Sequence, residues 1–200
     1  MKVFISCDLE GIGCVTRPEH SRIEGLDYIQ SRRLMTGEVN AAISAAFDAG
    51  AEKVLVADSH NVGLNLLPEE LDQRAELIMG SPRPLSMMEG VQEGFEAVFF
   101  VGYHARPVTA DGVIAHNYHS RLRSMRLNGQ LMGEMGLNAS LAGLYKAPVV
   151  LVTGDTATEA EAKTILPWAE TVAVKSGRGA YASRCFSPKV CREMIYDGAF

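Results

Sequence analysis

Six short apolar runs, rich in β-branched residues and mostly without polar alternation, recur along this 200-residue chain at 2–7, 53–57, 75–79, 97–101, 148–152 and 171–174. A strand that shows one face to water alternates, whereas a strand covered on both faces does not. Helical patterns lie between the runs, at 26–49, 85–96, 132–145 and 156–165. The alternation predicts an α/β fold: a doubly wound, mostly parallel sheet with helices on both faces. Gly50 should stop the long helix, Asp155 and Thr156 are placed to cap the 156–165 helix, and Ser187-Pro188 should open a last one. Asn128-Gly129 marks a tight β-hairpin inserted before the 132–145 helix. The final helical pattern stops at Phe200 with no closing element after it. Residues 1–200 are therefore read as a single domain cut from a longer protein.

Composition narrows the classes. With 47% hydrophobic residues and both charge signs present, the chain can bury a real core. The formal net charge is −5 and no basic tract is denser than Arg121, Arg123 and Arg126, so nucleic acid is not an expected partner. The apolar run after Met1-Lys2 is too short for a signal peptide, and no run approaches membrane-spanning length. Cys7, Cys14, Cys185 and Cys191 show no CxxC spacing, which points to free thiols in a reducing compartment and hence to the cytoplasm. Cys7 should point opposite to Asp8 on an extended strand, and both Cys7 and Cys14 are read as packing residues rather than ligands.

Chemistry concentrates where the strands end. In an open α/β sheet, ligands bind beyond the carboxyl ends of the strands, because loops converge there. Asp8 and Glu10 follow the first run, His60 follows Asp58-Ser59, and His104 follows Gly102-Tyr103. If the backbone stays extended, Asp8 and Glu10 face one side, and Gly11 and Gly13 let the chain turn away. Glu134 falls in the first turn of the 132–145 helix, where a carboxylate serves equally as cap or ligand. Oxygen and imidazole donors without thiolate suit zinc, with manganese or iron as alternatives, and three carboxylates plus two histidines can hold two ions with one carboxylate bridging. Asp8 is the candidate bridge. Asp58 either orients the His60 imidazole or caps a loop. His116 ends the run Val113-Ile114-Ala115 and is placed for proton transfer, whereas His119 and His20 read as solvated loop. Gly11-x-Gly13 is an incomplete dinucleotide fingerprint, Met87, Met88, Met132 and Met135 read as core filler, and Ser59 is in no GxSxG elbow.

Taken in order, Ser6-Cys7-Asp8-Leu9-Glu10-Gly11, Asp58-Ser59-His60, Gly102-Tyr103-His104-Ala105-Arg106, His116 and Gly133-Glu134-Met135-Gly136-Leu137-Asn138-Ala139 resemble the motifs of the D-aminopeptidase family of zinc metallopeptidases. The resemblance spans residues 6–139. It implies a centre of two zinc ions per subunit held by Asp8, Glu10, His60, His104 and Glu134, with His116 as the catalytic histidine, either nucleophile or general acid/base. It also implies a ring-like homo-oligomer, a decamer, that encloses its active sites and admits only short peptides. Family members run on beyond this chain, so C-terminal elements of the family are expected to be missing.

The expected activity is zinc-dependent hydrolysis of the N-terminal peptide bond of short peptides, with D-amino-acid (D-Ala) preference implied by the resemblance. Two alternatives remain from the residues alone. One is another metal-dependent hydrolase, an amidase or phosphoesterase, because ligands do not fix the bond cleaved. The other is a non-catalytic metal-binding oligomer.

Overall fold

The computed structural model describes residues 1–119 and 121–200. In chain order its elements are β1 (Lys2–Cys7), α1 (Pro18–Ser21), α2 (Tyr28–Asp48), β2 (Lys53–Asp58), β3 (Glu76–Ile78), β4 (Ala97–Val101), β5 (Met125–Leu127), β6 (Gln130–Met132), α3 (Glu134–Leu144), β7 (Val149–Asp155), α4 (Thr156–Ile165), β8 (Glu170–Gly177), β9 (Ser183–Cys185) and α5 (Pro188–Ala199). Seven strands form one sheet in the order β3-β2-β1-β4-β7-β8-β9. The pairings are parallel except that of β8 with β9.

Burial on both faces explains why the runs do not alternate. Val3, Ile5 and Cys7 of β1 face one apolar cluster together with Met35, Val39 and Ile43 of α2 and Cys191 and Ile195 of α5. Phe4 faces the opposite cluster with Phe100, Met135 of α3 and Ala162 of α4. Successive residues thus enter two cores, as the period of two in a strand requires. The thiol of Cys7 is fully buried in the first of them.

Punctuation behaves as the sequence predicts in most places. Gly50 adopts φ +94 after α2, and Asn128 and Gly129, at φ +52 and +82, close the β5–β6 hairpin. Asp155 caps α4 by accepting the Thr158 N–H.

Two expectations need correction. The helix expected over 85–96 is instead a pair of single 3₁₀ turns, Ser86–Met88 and Val91–Glu93. Gly90 and Gly94 take φ +103 and +84, conformations that end a helix. The helix expected from 132 begins at Glu134, because Met132 pairs with Met125 in the hairpin. The short elements α1 and β9 carry too few apolar residues to be legible in the pattern.

The strand order reverses at β1: β2 and β3 lie on one side, β4 and β7 on the other. The crevice at such a switch point is where an open α/β sheet holds its ligand. Here it opens between the carboxyl ends of β1 and β4.

Candidate metal centre

Two glycines permit the loops after β1 and β4 to touch. Gly102 sits at φ +73, and a Cβ there would lie 2.2 Å from the Asp8 carbonyl oxygen; a Cβ on Gly11 would lie 1.9 Å from the Tyr103 carbonyl oxygen. The Gly11 N–H donates to the Gly102 carbonyl at 2.8 Å. This contact turns the chain straight after Asp8, with Ile12 N–H returning to the Leu9 carbonyl. Asp8 and Glu10 do face the same side, but a turn brings them there rather than the extended backbone the spacing suggested.

The structure brings all six sequence-selected residues, Asp8, Glu10, His60, His104, His116 and Glu134, around one crevice. Asp8, Glu10, His60, His104 and Glu134 are buried and His116 is half-buried. His60 donates Nε2–H to the Ser21 carbonyl at 2.7 Å, which leaves Nδ1 facing Asp8 Oδ1 at 3.1 Å and Glu10 Oε2 at 3.0 Å. His104 donates Nδ1–H to the Ala105 carbonyl at 3.0 Å, which leaves Nε2 facing Asp8 Oδ2 and Glu134 Oε1, each at 3.5 Å. The same arrangement occurs twice: one imidazole nitrogen fixed by backbone, the other aimed between two carboxylates. Asp8 takes part in both, one oxygen to each side.

Glu10 Oε2, His104 Nε2 and Glu134 Oε1 are buried with no hydrogen-bond partner. Buried carboxylates gathered around imidazole lone pairs repel one another unless a cation sits between them. Protons are one answer, and the titration shifts show it. Burial acts against charge on His104, but Glu134, Asp8 and Glu10 outweigh it and hold its pKa up to about 10. Burial likewise opposes charge on His60, and Glu10 and Asp8 still raise it well above the usual imidazole value. Burial and the neighbouring Glu10 charge push Asp8 up to about 6. Burial also acts to raise Glu10, yet the surrounding histidines, His60 foremost, carry it well below the ordinary carboxylate range. A divalent cation is the other answer, and the donor set fits one: Asp8, Glu10 and His104 offer donor atoms within 4.8 Å of one another, as do His104, His116 and Glu134.

His116 stacks on His104, ring centroids 4.1 Å apart and planes at 16°. Its Nδ1–H donates to the Ile114 carbonyl at 2.8 Å, so Nε2 keeps its lone pair. Glu134 opens α3, and its carboxylate lies in the crevice with Oε1 3.5 Å from His104 Nε2. Asp58 accepts from Asn65 and Leu66 amides and from the Asn65 side chain, so it caps a loop and does not orient His60. His119 is exposed as expected; His20 is half-buried and its Nδ1 accepts the Thr16 N–H, so it is not the solvated residue its context suggested.

The D-aminopeptidase family model matches residues 1–199 of this chain. The chain belongs to the D-aminopeptidase family. A D-aminopeptidase of Bacillus subtilis (strain 168) is 40% identical over 199 residues, covering 98% of this chain and 72% of the relative. A solved structure described as the Zn-dependent D-aminopeptidase DppA from Bacillus subtilis, a self-compartmentalizing protease, matches with a TM-score of 0.97 at 37% identity, over 100% of this chain and 72% of that one.

Within this D-aminopeptidase fold the crevice opens into a cavity of about 560 Å³. Its walls were not legible in the sequence. Val108, Ile114, Asn61 and Ser86 line it at φ between +51 and +64, an uncommon conformation and a strained one for the β-branched Val108 and Ile114. Tyr118 lines it with its hydroxyl donating to Asn138, whose amide donates to the buried Tyr103 hydroxyl at 3.0 Å. Arg22 is the one arginine or lysine among the lining residues. No helix among the described residues is long and apolar enough to cross a membrane.

Proposed function

We propose that this chain is a zinc-dependent aminopeptidase that removes the N-terminal residue of short peptides, with preference for D-residues, D-Ala among them. Asp8, Glu10, His60, His104 and Glu134 would hold the two zinc ions per subunit. One observation carries this: Asp8 presents Oδ1 to His60 and Oδ2 to His104, and each of those histidines faces a second carboxylate, Glu10 or Glu134. Family membership supports a peptide bond as the target over an ester of phosphate, and supports catalysis over simple metal storage.

Bound zinc supplies Lewis acidity toward water and toward the scissile carbonyl. The protein's own residues do the rest. Arg22 at the cavity wall takes the carboxylate at the far end of a short peptide. Met87, Val108, Ile114 and Ala115 provide apolar wall against the substrate side chains. Nε2 of His116 accepts a proton from the attacking water and returns it to the leaving amine, its orientation fixed by the Ile114 carbonyl and by the stack on His104. The 200 residues act as one metallopeptidase domain. By analogy with the self-compartmentalizing relative, subunits assemble into a ring-like homo-oligomer, a decamer, enclosing these sites. The free cysteines support a cytoplasmic location.

Hydrolysis of D-Ala-D-Ala, L-Ala-L-Ala and a phosphate monoester by the zinc-loaded protein tests the proposal. Cleavage of the D-dipeptide in preference to the other two is expected. Turnover of the phosphate ester without either peptide would overturn it.

A further inference from the structure

Two buried charges at the sheet edge take no part in the mechanism above. Lys175 is 1% exposed and Asp155 is fully buried. They are register partners on neighbouring strands, Asp155 closing β7 and Lys175 in β8. Their hydrogen bonds run to two different loops. Lys175 Nζ donates to the carbonyls of Glu10 at 2.6 Å, Ile12 at 2.8 Å and Val15 at 2.5 Å, so its three protons all hold the loop that carries Glu10. Asp155 Oδ1 accepts from the Thr158 N–H and hydroxyl at the start of α4, while Oδ2 accepts the Val113 N–H at 2.7 Å. Val113 lies three residues before His116, and the segment between is fastened again by Ile114 N–H to the Ala180 carbonyl and by His116 Nδ1–H to the Ile114 carbonyl. Gly177 lets this segment lie on the end of β8, since a Cβ there would fall 1.7 Å from the Asp111 carbonyl oxygen.

An ammonium whose hydrogen bonds all go to neutral carbonyls, with the buried Asp155 and Glu38 carboxylates acting on it only through space, is an expensive way to close a loop, because burial of charge is unfavourable without a strong return. A methionine would fill the same volume. The return here is geometric: three convergent acceptors fix the loop 10–15 at a single point, at the residue whose carboxylate enters the crevice. We propose that Lys175 and Asp155 are paired positioning residues, Lys175 setting Glu10 for metal binding and Asp155 setting His116 for proton transfer. Neither touches substrate or metal. Both roles presuppose Glu10 as ligand and His116 as proton carrier, as proposed above.

Zinc affinity, read by competition with a chromophoric chelator, and steady-state kcat and KM on D-Ala-D-Ala separate the two roles. In Lys175→Met, zinc affinity should fall about tenfold or more, the usual cost of losing a group that orients a ligand. In Asp155→Asn, zinc affinity should hold while kcat falls by a similar factor, roughly tenfold, at unchanged KM. Lys175→Gln, which keeps a donor, serves where the methionine variant does not fold, and melting of the metal-free variants reports folding. Folded variants with wild-type affinity and kcat overturn the proposal, as do variants that lose both properties in equal measure or that all unfold. Absence of zinc binding by the wild type sinks the metal site itself and these roles with it.

Discussion

Zinc entering the proposed site would displace protons held there, and the arrangement of imidazoles and carboxylates says which. In the metal-free protein His104, with its pKa held at about 10, is protonated at pH 7, and Glu10 and Asp8 push His60 in the same direction. Each has one nitrogen committed to a backbone carbonyl, so the proton that leaves is the one between the carboxylates. For His104 the three units between pH 7 and about 10 correspond to about 4 kcal/mol, or roughly a thousandfold in apparent affinity. Zinc affinity should therefore rise with pH between 7 and 9 by at least about one logarithmic unit per pH unit, the proton lost from His104, with His60 adding to the slope in the same direction. Below pH 6 the slope should steepen, because Asp8, with its pKa near 6, then also has to lose a proton. The folding stability of the metal-free protein has the related sign. A histidine with a raised folded pKa stabilises fully below the unfolded value near 6.5 and loses that contribution as pH climbs through about 10. Calorimetric titration of zinc in buffers of different ionisation enthalpy, repeated at several pH values, counts the protons directly. Affinity independent of pH between 7 and 9, with no proton release, would refute the arrangement of imidazoles between carboxylates.

Two substitutions probe the crevice from other directions. Gly102→Ala places a Cβ 2.2 Å from the Asp8 carbonyl oxygen at φ +73; the left-handed strain and the overpacking together should cost about 3 kcal/mol or more in thermal unfolding, and a loss under about 0.5 kcal/mol, the level of an ordinary surface change, would show that the loops do not need this close approach. Arg22→Gln should raise KM for dipeptides with a free carboxylate by about tenfold, the loss of a charge-assisted hydrogen bond, while leaving the corresponding dipeptide amides unaffected; equal effects on acids and amides would remove Arg22 from substrate recognition.

The sequence made β1, β2 and β4 legible because burial on both faces left unbroken apolar runs. β7 and β8 run further than the apolar signal, into Thr153-Gly154-Asp155 and Lys175-Ser176-Gly177, whose polar side chains and glycines hide strand from hydropathy. The misread 85–96 segment has helix-like spacing at Leu85, Met88 and Val91, and backbone angles at Gly90 and Gly94 decide against it. Asp8, Glu10, His60 and His104 stood out because metal-preferring side chains follow strand ends; Glu134 instead opens α3, and His116 follows an apolar run that is not a strand, so the donor pattern alone did not single it out. Lys175 did not stand out, since a lysine in a strand reads as solvent-facing until the carbonyls around it are seen. The cavity wall escaped notice for a similar reason: Val108 and Ile114 look like ordinary apolar residues, and only their left-handed backbone turns them toward the cavity.

Titration of chelator-stripped protein with zinc, following D-Ala-D-Ala hydrolysis, tests the two-ion peptidase most directly. Activity should rise and then break at two equivalents per subunit, and His116→Ala should bind the same two equivalents and stay inactive. Hydrolysis that needs no zinc, or wild-type turnover by His116→Ala, would contradict it.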